Sequence, residues 1–188
     1  MKKIAVFLAD GFEEGESLFV IDILKRAGFH CDSVSIEKEM VRGSHDIIVK
    51  TDKIISDAIK EYDMIVLPGG LPGATNLRDD ERVIELVKYF DKVPEKFVAA
   101  ICAAPMVLEK AGIVKGRTIT SYPGEKYIAL FKEANYVEDI VAIDDHLITS
   151  RGPATTLPFA YALVDALGGN SNALKEGMLY NMVRNSDF

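Results

Sequence analysis

FVAAICAAP, residues Phe97–Pro105, is the stretch from which the fold class is read. Phe97 to Ile101 are small or apolar and predict a short buried strand. Cys102 follows at once. Pro105 suits a first helical turn, where its missing N–H is not needed, and the apolar run Met106–Ala111 stops at Gly112, a common helix end. Cys102 is thereby placed between a buried strand and a helix N-terminus. Such a turn bends sharply and can present its side chain, as the nucleophile elbow does in other α/β enzymes. The unpaired N–H groups there favour a thiolate and lower a cysteine's pKa, so Cys102 is expected to ionise below the ~8.5 of a free cysteine. The alternative is a small buried hydrophobe, the commonest fate of free cysteine.

Outward from this stretch, strand and helix patterns alternate. Lys3–Ala9 (KIAVFLA) predicts a central parallel strand, and Asp10-Gly11 a turn. Glu13–Ala27 predicts a helix with an acidic first turn (Glu13, Glu14, Glu16) and a basic last turn (Lys25, Arg26). Leu18, Ile21 and Leu24 are expected to face the sheet, with Phe19, Val20 and Ile23 partly on other faces. A helix so apolar around its circumference calls for a second cover, which another subunit would supply. Phe29–Ile36 and Tyr62–Leu67 predict strands. Between them lie a polar loop or hairpin (Glu37–His45), a short edge strand (Ile47–Val49) and irregular chain (Asp52–Glu61). Pro68–Gly73 is a Gly- and Pro-rich turn that permits close approach to a ligand, or is simply a tight turn. Asp79 or Asp80 caps a helix over Glu81–Phe90.

Beyond Gly112 the pattern predicts a strand at Arg117–Ser121, a loop at Tyr122–Gly124 and a helix over Glu125–Lys132. A hairpin of Val137–Ile143 and Leu147–Ser150 follows, then helices Ala154–Leu167 and Asn172–Val183. The alternation from Lys3 to Ser121 predicts an α/β fold: a doubly wound, mostly parallel sheet with helices on both faces, in a single domain of residues 1–188. Ligands of such sheets bind beyond the carboxyl ends of the strands. Asp10–Glu16, Pro68–Gly73 and Cys102-Ala103 all fall there.

The chain's 188 residues can bury a sizeable core, and the net charge of −7 argues against nucleic acid or an anionic membrane as the main partner. No stretch approaches the ~18 apolar residues of a membrane span. Neither end reads as a targeting signal, and two cysteines, Cys31 and Cys102, suggest a cytoplasmic setting without disulfides. His30, His45 and His146 show no ligand spacing, so no metal is expected. No nucleotide-binding Gly pattern occurs, so no cofactor is indicated. A thiolate at Cys102 needs a proton partner, and none of the histidines is well placed. Glu16, one turn into the helix after the first strand, is better placed. A carboxyl beside a thiolate would have a raised pKa and could stay protonated against the sulfur. Otherwise Glu13, Glu14 and Glu16 are solvated acids that match the helix dipole.

Six segments carry a resemblance: LADGFEEGES (8–17), DILKRAG (22–28), DMIVLPGG (63–70), GATNL (73–77), AAICAAP (99–105) and TSRGPAT (149–155). In this order, over nearly the whole chain, the sequence resembles the ThiJ/PfpI superfamily, in the branch of the human parkinsonism-associated deglycase. The resemblance implies a flavodoxin-like sandwich and a homodimer. It implies Cys102 as an easily oxidised cysteine, Glu16 as the glutamate hydrogen-bonded to it, and Gly70 and Ala103 as backbone donors of an oxyanion site. Gly69 and Tyr122 join them as oxyanion or substrate-binding candidates. Arg26 matches an arginine near the dimer interface. Two departures stand out. Tyr122, in S-Y-P, occupies the place of a histidine that relatives carry in T-H-P, and His45 replaces an arginine near the cysteine.

The functional expectation is an enzyme on small reactive carbonyls such as methylglyoxal, of the glyoxalase III or deglycase kind, acting through Cys102 and Glu16. Its alternative is a non-catalytic oxidative-stress sensor or protective protein working through Cys102 oxidation. A cysteine amidase or protease is disfavoured by Tyr122.

Overall fold

The computed structural model describes residues 1–186. In chain order its elements are β1 (Lys3–Leu8), α1 (Glu14–Arg26), β2 (His30–Ser35), β3 (Met40–Arg42), β4 (Ile48–Lys50), β5 (Lys53–Ile54) and β6 (Met64–Leu67), then α2 (Gly73–Asp79), α3 (Glu81–Lys92), β7 (Phe97–Ile101) and α4 (Pro105–Ala111). They continue with β8 (Thr118–Ile119), α5 (Glu125–Ile128), β9 (Asn135–Tyr136), β10 (Val141–Asp144), β11 (Leu147–Ser150), α6 (Thr156–Ala166), α7 (Ser171–Gly177) and α8 (Tyr180–Arg184).

A seven-stranded sheet runs β10-β11-β7-β6-β1-β2-β5. All its neighbours are parallel except the β10–β11 hairpin. β1 shows why both faces must be covered. Ala5 and Phe7 enter one core with Val87, Phe90 and Leu108 of α3 and α4. Ile4, Val6 and Leu8 enter the other, with Val20 and Leu24 of α1 and Phe159 and Leu163 of α6. Strands buried on both faces read as near-continuous apolar runs. This is a flavodoxin-like doubly wound α/β fold. The chain moves from β1 to β2 on one side and then returns to place β6 on the other, so the strand order reverses between β1 and β6.

Several expectations change. Thr118–Ile119 does not join the main sheet; it pairs in parallel with Asn135–Tyr136 in a separate two-stranded ladder. The position beside β7 is taken instead by β11, which the β10 hairpin brings in. The expected hairpin of the 37–50 region does form, β3 with β4, as a separate two-stranded sheet. Gly73–Asp79 is a helix that the turn-rich sequence hid; of the two expected caps of α3, Asp80 serves, accepting from Arg82 N–H. The long final helix is broken at Leu179, which adopts a left-handed conformation (φ 60).

The inward face of α1 is also rotated. Its buried residues are Glu14, Glu16, Ser17, Val20, Ile23 and Leu24, whereas Leu18 and Phe19 are 38% and 49% exposed. From Glu16 the stripe follows helical spacing and includes a glutamate, which hydrophobicity alone assigns to solvent.

Candidate active site

Cys102 sits at the sharp end of β7 with φ +64, a left-handed conformation costing roughly 1–2 kcal/mol for a residue bearing Cβ. The surroundings hold it there. Cys102 N–H donates to Ser150 O (3.1 Å), Tyr122 N–H donates to Cys102 O (2.8 Å), and Ala104 N–H donates to Ile101 O (3.0 Å). The strained turn leaves the cysteine half-buried, with Ala103 and Ala104 buried behind it.

Glu16 meets it from α1 and is wholly buried (0% exposed). Its backbone N–H is capped by Glu13 Oε2 at 2.6 Å. Its Oε2 accepts from Gly69 N–H at 2.8 Å, while the Gly69 carbonyl accepts from Glu13 N–H at 2.9 Å. These bonds clamp the PGG turn to the helix start. Gly69 has no room for a side chain: a Cβ there would lie 2.7 Å from both Cys102 Cβ and Glu16 Oε2. Gly70 takes φ +84, and a Cβ on it would collide with Glu13 N. Small residues at this turn are therefore a packing requirement of the site.

The electrostatics follow from burial. Burial pushes the Glu16 carboxyl up to about 7, opposed by the Gly69 N–H and Cys102 and reinforced by the Glu13 charge. Its Oε1 has no hydrogen-bond partner among the described residues. Burial first, and the Glu16 carboxylate second, push the Cys102 thiol up as well, while the N–H groups of Ala103 and Gly70 pull it down. This corrects the expectation of a thiol lowered by a protonated Glu16 together with the helix end. Glu16 and Cys102 titrate as a pair, and losing both protons would leave two buried negative charges side by side. A stabilised thiolate belongs to the state in which Glu16 keeps its proton.

Cys102, Glu16, Gly69, Gly70 and Ala103 thus converge. Tyr122 joins through its backbone; its ring is 43% exposed and packs edge-on against Tyr127, with centroids 5.8 Å apart. The histidines are engaged elsewhere: His30 with Asp32, His45 with Glu14, and His146 with Asp91 and Asp145. Arg26 pairs with Asp22 at 2.7 Å on α1. Cys31 is 3% exposed, and burial pushes its thiol up to about 12.

Two supporting residues escaped the sequence reading. Glu13 positions Glu16, and the Asp10-Gly11 turn before it was the only available hint. Glu14 is buried and accepts from His45 N–H at 2.7 Å, with His45 Nδ1 2.9 Å from its other oxygen. Burial pushes the Glu14 carboxyl up, but the hydrogen bonds from His45 outweigh it and hold it below its ordinary range, and the Glu14 bond in turn raises the pKa of the His45 imidazole. With Glu13 they form a group whose ligand atoms lie within 4.8 Å of one another. A separation of 31 residues carries no metal-ligand spacing signal.

Residues 2–166 match the DJ-1/PfpI family. The chain belongs to it. A zebrafish DJ-1/PfpI relative, the Parkinson disease protein 7 homolog of Danio rerio, is 39% identical over 173 residues, covering 89% of this chain and 90% of the relative. The Schizosaccharomyces pombe protein named glutathione-independent glyoxalase DJ-1 is 30% identical over 174 residues, covering 88% and 91%. Among solved structures, Drosophila melanogaster DJ-1beta superposes with a TM-score of 0.89 at 36% identity, covering 95% of this chain and 97% of that one.

Proposed function

We propose that this DJ-1/PfpI chain is a single-domain, cofactor-independent enzyme acting on small reactive carbonyls such as methylglyoxal. One observation carries the reading: a wholly buried Glu16 carboxyl, held by Gly69 N–H, with one oxygen free and a pKa near neutrality, beside an elbow cysteine. General acid–base groups work best with a pKa near the working pH. The relative named a glutathione-independent glyoxalase supports the same class.

In this reading the Cys102 sulfur adds to the aldehyde carbon. An S–C bond forms, the carbonyl π pair moves to oxygen, and that oxygen takes the pair's proton to give a hemithioacetal. The N–H groups of Gly70 and Ala103 stabilise the charge developing on oxygen. The Glu16 carboxylate then takes the hydrogen of the former aldehyde carbon as a proton and returns it to the neighbouring carbon. The first carbon is oxidised to a thioester and the second is reduced to an alcohol, so no external oxidant or reductant enters. Water releases lactate and restores the thiol.

Lactate formed from methylglyoxal by wild type, Cys102→Ser and Glu16→Gln tests this reading. Wild type should turn over, and both variants should lose at least about a hundredfold, the usual worth of a general acid–base group. Undiminished turnover by Glu16→Gln would remove Glu16 from the mechanism.

The oxidative-sensor alternative draws on the same half-buried thiol and on the burial of Cys31, which leaves no evident second thiol for a disulfide. A Cys–His hydrolase lacks its base, since the three histidines pair elsewhere.

The reading includes a cytoplasmic homodimer. Leu18, Phe19 and Ile47 line an apolar hollow on the outer side of α1 that a second copy would cover. No helix of the described residues is long and apolar enough to cross a membrane.

A further inference from the structure

Both backbone polar groups of Cys102 are tied to neighbouring segments, and one side chain spans the two. Cys102 N–H donates to Ser150 O at 3.1 Å, and Cys102 O accepts from Tyr122 N–H at 2.8 Å. The Tyr122 ring crosses back to the loop after Ser150. Its Cδ2–Cε2 edge overlies Gly152, where a Cβ would lie 3.5 and 3.8 Å from these two atoms. Tyr127 meets the same ring at 72°, with centroids 5.8 Å apart. A tyrosine held at two places offers a rigid surface and loses little freedom when a ligand packs on it. Tyr122 nevertheless stays 43% exposed. Leu71 is 46% exposed, and it follows Gly70, whose N–H acts on the Cys102 thiol. A lone exposed apolar residue needs no explanation. Here two of them stand on the segments that touch one half-buried, reactive cysteine.

We propose that Tyr122 determines the specificity of the site: its ring, with Leu71, selects α-oxoaldehydes that carry an aromatic ring in place of the methyl group of methylglyoxal. The selection rests on the carbonyl chemistry proposed above and names its substrate class. The aryl group packs against Tyr122 offset or edge-on, arrangements worth more than the buried area alone. Phenylglyoxal is the simplest such substrate. Its aldehyde carbon is oxidised to a carboxylate and its ketone carbon is reduced to an alcohol. Mandelate forms, with water as the only co-reactant.

Alkylation separates this selection from the carbonyl chemistry. Iodoacetamide and N-phenyliodoacetamide react with a thiolate at the same carbon, and neither needs a proton shuttle. Their rates at Cys102, read by peptide mass on the full-length protein, give an aryl-over-small ratio. The same ratio for N-acetylcysteine is the reference. Wild type should exceed that reference about fivefold, the worth of one aromatic contact. Tyr122→Phe should keep the excess, and Tyr122→Ala should abolish it. In turnover, kcat/KM for phenylglyoxal relative to methylglyoxal should fall about fivefold in Tyr122→Ala. A wild-type ratio equal to that of N-acetylcysteine would overturn the assignment, however the alanine variant folds. So would an excess that survives in Tyr122→Ala or vanishes in Tyr122→Phe. The predicted alkylation ratios without turnover of either aldehyde would uphold aryl selection by Tyr122 and count against the carbonyl chemistry alone.

Discussion

Glu16→Gln should flatten the pH dependence of stability between about pH 4.5 and 7. Glu16 is held at about 7 against an ordinary 4.5 because its carboxyl is buried with a single N–H donor and one free oxygen. Between these values the native state keeps a proton that the unfolded chain has lost. Stability from this group is thus fully present below 4.5, declines as pH rises, and is gone above about 7. The gap of about 2.5 units, at ~1.36 kcal/mol each, corresponds to about 3 kcal/mol. Glutamine has no proton to lose, keeps the acceptor for Gly69, and places a donor toward the sulfur. Relative to wild type, the variant should therefore gain about 3 kcal/mol on going from pH 4.5 to 8. All other titrating groups are common to both proteins and cancel. Urea unfolding at fixed protein concentration measures the difference, and a Cys102→Ser background removes any thiol contribution. Parallel pH profiles for the two proteins would refute the buried, neutral-pH carboxyl.

The same substitution removes the negative charge that raises the Cys102 thiol, so ultraviolet thiolate absorbance should show Cys102 ionising at lower pH in Glu16→Gln than in wild type. Limited peroxide should add oxygen to Cys102 and spare the buried Cys31, as read by peptide mass; preferential Cys31 oxidation would contradict the elbow. Gly69→Ala would drive a methyl into Cys102 and Glu16, which should cost about 1–3 kcal/mol in denaturant unfolding along with most of the turnover. Phe19→Asp should convert a dimer to monomer by light scattering, and an unchanged oligomeric state would place the contact elsewhere.

Much of this protein is local and so legible from its residues. The run of apolar side chains in β1, β6 and β7 can only be a strand covered on both faces. The apolar run Phe97–Ile101 before Cys102, and Pro105 and Gly112 opening and closing the helix after it, place the cysteine without reference to anything distant, which is why the α/β class and the nucleophile candidate were accessible. What failed depended on long-range partners. Thr118–Ile119 has the composition of a sheet strand, yet the place beside β7 goes to Leu147–Ser150, a competition between segments that no window of sequence contains. The rotation of α1 was missed because a buried glutamate defies the hydrophobic pattern.

The sequence by itself determined the alternation of elements, the end of the sheet at which ligands bind, and Cys102 at its turn, because each rests on neighbouring residues and the geometry of one strand entering one helix. Only the tertiary structure showed that Glu16 is wholly buried and held by Gly69 N–H, and that Glu14 is buried as well. It also decided that the thiol and the carboxyl titrate together. The physical reason is that desolvation and hydrogen bonding are set by what packs around a group. For Glu16 that surrounding is Gly69, 53 residues away along the chain.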